Sequence, residues 1–562
     1  MKKIILSAIL LTASVYGFAC TNLIVTRGAS ADGSVMVTDA ADSFTRYGCL
    51  AFIPAANHRK GEMRPVIQWG SDSKGAFRLN GYVPEVPHTY NVVGNMNEYQ
   101  VVVGETTWNG VDVKHDDNDI VDYGSAMWIA IQRSRTAREA IETIARITDE
   151  YGYSSTGESI SVADPNEAWI MEVFPRKPKY VDGVNVNKGL VYVAIRIPDG
   201  HICAHANCAR ITTFPKDDPE NCLYSPDVVQ NARDLGLYEG SDEDFSFTDA
   251  YCPLTYSMLR ACELRVWSFF NRFGAVDMNQ YLDFVTAEDP THRMPLSVPV
   301  KQKVSVLDLA EMMRDHYEGT PFDMREGIAA GPSAIPYRWR EANFEVDSVK
   351  YRHERPIAVQ QTGFWFVSQS RGWLPDEVGG ILWFAVDDAG TAPLTPVYTC
   401  STKISQHYAF GNGSMVEYSP TSMFWLVNRV AHFAYYRYDP VGVEVRDVIR
   451  RHEADMVEKV AEMDREAVVL CARSPRKAVK KLTDFSVKEA DALFDKWESL
   501  DKYLLIKYMD GATKRQLPDG TFETHSHSNW VPLSPRSGDS KETYRRAIIS
   551  ETGDFFAVKK VK

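Results

Sequence analysis

Residues 20–39 constrain the fold more than any other stretch. They read Cys20-Thr21-Asn22-Leu23-Ile24-Val25-Thr26-Arg27-Gly28-Ala29-Ser30-Ala31-Asp32-Gly33-Ser34-Val35-Met36-Val37-Thr38-Asp39. Two β-rich runs, 23–26 and 35–38, flank an Asp-Gly turn, which is a strong short-range hairpin signal. The segment ahead of them carries Lys2 and Lys3, an apolar run over 4–13 and the ending Gly17-Phe18-Ala19. That is the charge, core and small-residue pattern of a secretory signal peptide. Cleavage after Ala19 would make Cys20 the first residue of the mature chain and the start of a strand. A terminal residue paired into a sheet is held rigidly, as an attacking atom must be.

A cysteine with a free α-amine carries its own base. The amine titrates near ~7.7–8.0 and the thiol near ~8.5, so one residue supplies nucleophile and proton acceptor. Two other readings of the leader stay open. A lipoprotein leader also ends at a cysteine, which is then lipidated and chemically inert, giving an envelope binding protein; that leader wants an aliphatic residue where Gly17 stands. A start elsewhere would leave Cys20 buried or disulfide-bonded.

The chain has 562 residues, 44% of them hydrophobic, enough for one large domain with an appendage. Its formal charge of −13 becomes −15 once Lys2 and Lys3 are removed, which disfavours nucleic acid or an anionic membrane as partner. After the leader no apolar run approaches the ~18–20 residues of a membrane span. Nine cysteines leave eight besides Cys20, with no tight framework among them, so no bridge is assigned. His201, Cys203 and His205 lie at i, i+2 and i+4 on one strand face, with Cys208 behind. Ligands in line along a strand diverge from one ion, so a buried strand face explains them better than a metal site. His525 and His527 read as surface residues, and neither metal nor organic cofactor is required.

The stretch Cys-Thr-x-Leu-x-Val followed by Ala-Ser-x-Asp-Gly-Ser-x-Met resembles the amino-terminal signature of the dipeptidase A type peptidases. These are a cysteine branch of the N-terminal nucleophile (Ntn) hydrolases, related to penicillin V acylase and bile-salt hydrolase. Similar in order along the chain are Asn97-Glu98 with the strand after it, Asp164-Pro165-Asn166-Glu167-Ala168-Trp169, Arg196-Ile197-Pro198-Asp199-Gly200, and His205-Ala206-Asn207-Cys208-Ala209-Arg210. Ala329-Ala330-Gly331-Pro332 and Trp373-Leu374-Pro375 continue the series. The resemblance spans roughly residues 20–400. It implies a four-layer αββα sandwich and hydrolysis of dipeptides by an exported bacterial enzyme, periplasmic or extracellular. An acylase or bile-salt-type amidase on the same fold is the alternative, because fold does not fix substrate.

In the related acylases an Arg-Asn-x-Asp element follows the first hairpin. Here it reads Asp39-Ala40-Ala41-Asp42. Asp42 keeps the aspartate expected to hold the Cys20 amine. Asp39 reverses the charge of the arginine, which removes that route to a lower thiol pKa. Asn207 matches the asparagine that donates to the oxyanion, with a backbone amide near 105–107 as the second donor. A dipeptide also brings free termini: Asp39, Glu105 and Glu172 are candidates for its ammonium, and Arg265, ahead of Arg210 and Arg260, for its carboxylate.

Period-two runs at 99–103, 159–163, 168–173, 191–195, 357–361 and 381–386 predict strands; 125–148 and 304–317 predict helices. From about 415 the pattern turns helical, at 421–436, 443–471 and 486–507. The expected organisation is an α+β chain: leader 1–19, an Ntn-hydrolase sandwich over 20–415, and a helical extension over 416–562 that serves as a lid or an interface, the latter compatible with a homo-oligomer.

Overall fold

The computed structural model describes residues 20–68, 78–108, 110–337, 343–511, 513–523 and 542–560. The leader expected at 1–19, Asn109, His525 and His527 lie outside the described residues.

The opening forms the hairpin that its sequence predicts. Strands Asn22–Val25 and Met36–Asp42 pair antiparallel, and Gly33 takes the φ of +82° that the turn needs. They occupy the middle of a seven-stranded antiparallel sheet. Its order is Ser297–Pro299, His201–His205, Asn22–Val25, Met36–Asp42, Thr362–Ser370, Gly380–Val386, Thr395–Tyr398. A second sheet of eight strands runs Cys222–Tyr224, Leu190–Arg196, Ala168–Pro175, Gly157–Ala163, Val102–Trp108, Met96–Asn97, Val92–Val93, Phe52–Ile53.

Side-chain alternation shows how the sheets are packed. In the eight-stranded sheet Val102, Ala168, Ile170 and Val193 join the core shared with the hairpin residues Leu23, Val25 and Val37. Their neighbours Val103, Trp169, Met171 and Ala194 join a separate core with Ile129, Ile141 and Ile144 of helices Tyr123–Arg133 and Ala137–Tyr151. Each strand is thus buried on both faces, which is why these runs read as nearly continuous apolar segments. Helices Leu264–Phe273 and Val306–Met313 pack on the seven-stranded sheet.

Three expected elements differ. The helix read at 125–148 is two helices, because Thr136 starts a second one by accepting from the Glu139 N–H. Asn97 donates to the Ile131 and Ser134 carbonyls at 2.7 and 2.8 Å and closes the first. The strand read at 99–103 begins only at Val102: Asn97 Oδ1 accepts from the Tyr99 and Val101 N–H groups, and Gln100 is left-handed. No strand forms at 357–361, where Val359 O accepts from Thr362 Oγ1 across a turn and the strand starts at Thr362.

Helices Met423–Tyr436, Tyr438–Cys471 and Pro475–Tyr508 pack on one another and against the Gly380–Val386 and Thr395–Tyr398 edge. Buried charges tie them down. Arg314 Nη1 donates to Glu453 at 3.0 Å, Glu453 also accepts from the Leu394 N–H at 2.9 Å, and Tyr398 donates to Asp464 at 2.7 Å.

Candidate active site

Cys20 sits one residue ahead of Thr21, which bridges to Ala40, so the thiol is fixed by the sheet that begins there. It is buried, and its Sγ lies 3.9 Å from Glu105 Oε1. Burial pushes the thiol pKa well up, and the charges of Glu105, Asp39 and Asp42 push it further, against one opposing hydrogen bond from the Asp42 backbone. These shifts favour the neutral thiol over the thiolate. A neutral thiol would attack a carbonyl only with a base that takes its proton as the bond forms.

Close approach of the two sheets builds the surroundings. Gly104 faces the hairpin, and a Cβ there would stand 2.3 Å from Asn22 Oδ1. Only glycine lets Asn22 donate to both Asp39 Oδ1, at 3.1 Å, and the Glu105 carbonyl, at 2.9 Å. Asp39 is buried and its carboxyl is raised well above the usual range by burial and then by Glu105. Asp42 is pushed up to about 6 by burial, against the Arg355 guanidinium and the Thr362 hydroxyl that donates to it at 2.6 Å.

Arg265 joins the parts. Its Nη1 donates to the Cys20 carbonyl and to Thr21 Oγ1, both at 2.7 Å; Nη2 donates to the Ala206 carbonyl and to Asn207 Oδ1, both at 3.0 Å; Nε donates to the Ala261 carbonyl at 2.7 Å. All five N–H donors are used. Asn207 stands in the left-handed region at φ 59°, which asparagine tolerates, and its Nδ2 donates to the Thr107 carbonyl at 2.6 Å.

This geometry corrects the expectation that Arg265 binds a substrate carboxylate: no donor remains, and the residue positions Cys20 and Asn207 instead. Arg210 is committed to Glu263 and to the Ala204, Leu296 and Pro295 carbonyls. Arg260 pairs with Glu354, and Glu172 accepts the Arg210 and Ile211 backbone N–H groups. The structure does bring Cys20, Asp39, Asp42, Glu105, Arg265 and Asn207 to one place. Sequence reasoning missed Asn22, Glu158, Gly104 and the side chain of Thr107; the strand period, which puts Thr107 on the face of Glu105, was the available signal.

The His201, Cys203, His205 face is a packed strand face: His201 bonds Ser297 of the adjacent strand at 3.1 Å, and Cys203 is buried in the core. His205 joins Thr106 Oγ1 and Ser161 Oγ, both at 2.7 Å, and burial holds its pKa down at about 3. Among the described residues no group of three His, Cys, Asp or Glu side chains could hold a metal ion, and no helix is long and apolar enough to cross a membrane.

Residues 19–451 match the model of peptidase family C69. Probable dipeptidase B of Streptococcus pyogenes serotype M1 is 22% identical over 505 residues, covering 87% of this chain and 93% of its own. A probable dipeptidase of Salmonella dublin is 25% identical over 418 residues, 71% of this chain and 85% of its own. Probable dipeptidase B of Lactococcus lactis subsp. lactis is 24% identical over 310 residues, 54% of this chain and 56% of its own.

Proposed function

The chain belongs to peptidase family C69, the dipeptidase A family, and from that premise we propose that it is an exported dipeptidase whose nucleophile is the thiol of Cys20, made amino-terminal by removal of residues 1–19. Membership makes it a peptidase, a hydrolase of peptide bonds. The names of its relatives support dipeptides as substrates. The fold we assign is the Ntn four-layer sandwich over 20–415, with 416–562 as its helical extension. Support comes from the two sheets sharing one core and from helices packed against each of them.

The observation that carries the reading is the Arg265 bridge. One buried guanidinium holds both the Cys20 carbonyl and Asn207 Oδ1, so nucleophile and oxyanion donor are set by one group. Hydrolysis runs in two steps. The α-amine of Cys20, directly or through a water, takes the thiol proton, and sulfur attacks the peptide carbonyl. Asn207 and a backbone amide stabilise the oxyanion, the amine protonates the leaving nitrogen, and water cleaves the thioester. Asp42 holds the amine. Asp39 and Glu105 favour a cationic substrate end, which is the observation that favours a dipeptide over an acyl chain lacking an ammonium.

Intact mass and amino-terminal sequencing of the protein from an exporting bacterial host, followed by a dipeptide panel, test this. The expected result is a chain beginning at unmodified Cys20 that cleaves dipeptides. A diacylglycerol mass on Cys20, a start elsewhere, or activity confined to penicillin V or conjugated bile salts would overturn it.

A further inference from the structure

Beside the nucleophile lies a second carboxyl that the mechanism leaves unused. Glu158 sits opposite Thr107 in the ladder between Val102–Trp108 and Gly157–Ala163, and Glu105 lies two residues before Thr107, so all three share one sheet face. Glu158 Oε1 and Glu105 Oε2 take the same Thr107 hydroxyl, at 3.1 and 3.4 Å. One hydroxyl has one proton and serves one carboxyl at a time. Glu158 is fully buried, and its Oε2 has no hydrogen-bond partner among the described residues.

Two adjoining carboxyls out of water do not both ionise. Burial and then the charge of Glu105 raise Glu158 well above the usual range. Glu105 is raised by burial, against the bond from Glu158 and the charge of Arg46. The other titratable groups facing the pair are Cys20, Asp39 and Asp42 from the hairpin, Asp122 and Tyr123 at a helix start, and Tyr153. Both shifts favour one proton held between Glu105 and Glu158.

We propose that the Glu105–Glu158 pair seats the free α-ammonium of the substrate's first residue, and that the peptide binds by displacing the shared proton. This rests on the dipeptidase reading and deepens it. The exchange balances: one ammonium enters, one proton leaves to solvent, and the net charge of the site is unchanged. The ammonium brings three donors to the unpartnered Glu158 oxygen and to Glu105.

Covalent geometry selects which nitrogen fits. The α-nitrogen lies about 2.5 Å from its own carbonyl carbon. With that carbon about 3–3.5 Å from the sulfur in an attack geometry, and the ammonium in hydrogen-bond contact with Glu105 Oε1, the circuit closes across the 3.9 Å from Sγ to Oε1. In a dipeptide this is the one α-nitrogen present, and it closes the circuit without strain. The bond cleaved is the first peptide bond, and the thioester carries the amino-terminal residue. N-acylated peptides bring a neutral amide with one N–H and are excluded.

The test uses mature protein carrying Cys20→Ala, titrated calorimetrically near pH 6 with Ala-Ala and N-acetyl-Ala-Ala in buffers of different ionisation heat. The expectation is release of about one proton per Ala-Ala bound and binding of the acetylated peptide weaker by about 100-fold or more. In the Cys20 enzyme, Glu158→Gln should raise KM for Ala-Ala by about 10-fold or more, beyond any fall in kcat. Tight binding without proton release, or equal cleavage of the acetylated peptide, overturns the proposal while the dipeptidase reading stands. Proton release that persists in Cys20→Ala/Glu158→Gln also overturns it. Failure of mature enzyme with intact Cys20 to cleave any dipeptide overturns the underlying reading instead. Should Glu158→Gln not fold, the proton count on the intact pair still decides.

Discussion

Replacing Arg265 with lysine separates positioning from packing. Arginine gives five donors to five acceptors here, whereas a lysine ammonium has three. Two or more of the Cys20, Ala206 and Ala261 carbonyls, Thr21 Oγ1 and Asn207 Oδ1 then lose their donor in a buried setting. At about 1–3 kcal/mol for each orphaned group, Arg265→Lys should cost about 2–6 kcal/mol of stability. The cost to activity has a different origin. The Cys20 carbonyl and the Asn207 amide are no longer fixed to one another, and displacing an attacking atom by an ångström costs about 10²-fold. The assay is kcat/KM on a cleaved dipeptide together with a urea titration. Arg210→Lys is the matched control, because Arg210 is equally committed to buried acceptors but touches neither Cys20 nor Asn207. Both variants should lose stability, and Arg265→Lys should lose far more kcat/KM. Equal kinetic losses in the two would refute the positioning argument, and an unchanged urea midpoint in Arg265→Lys would refute the hydrogen-bond accounting.

Cys20→Ser should keep the native circular dichroism spectrum and lose most activity, since the hydroxyl titrates far above the thiol; a fully active Cys20→Ala would sink the mechanism. Gly104→Ala places a Cβ 2.3 Å from Asn22 Oδ1 and should cost about 1–3 kcal/mol together with much of the activity; native-like kinetics would show that Asn22 is not held by that approach. His205 has its pKa held at about 3, below the ordinary histidine value, so its contribution is whole above pH ~6.5 and is lost as the pH falls towards 3. Between pH 7.5 and 4.5 the wild type should lose about 3 kcal/mol more than His205→Gln in urea titrations; parallel losses would contradict the neutral buried imidazole.

What could be read from the sequence follows the range of the forces involved. The hairpin at residue 20, the strand runs at 159–163, 168–173 and 381–386, and the helices after 415 depend on local periodicity and turn chemistry, and the structure places elements there. The break between the first two helices was hidden because Ser134 and Thr136 look like ordinary helix-surface residues until Asn97, 34 residues earlier, caps the Ile131 carbonyl. Arg265 illustrates the same limit at the site. Its presence near Cys20 could be guessed, but its role depends on five acceptors from three separate segments, and no spacing rule encodes that. Glu158 went unnoticed because a lone glutamate in a strand looks solvent-facing, and only register with Thr107 puts it beside Glu105.

The charge reversal at Asp39 also ceases to be an anomaly once the neighbourhood is counted. An arginine at that position would stabilise a thiolate at rest, and a thiolate sealed among Asp39, Asp42 and Glu105 would be costly. This site takes the opposite course. Burial raises Asp39, Glu105 and Glu158, the neutral thiol is favoured over the thiolate, and a carboxylate is released when a cation arrives to replace a proton. Arrival of a substrate ammonium replaces one of those protons, so the net charge beside the thiol is unchanged and its proton still has to be taken by a base as the bond forms. A peptide lacking its ammonium is penalised in binding, because it brings no cation to exchange for the shared proton.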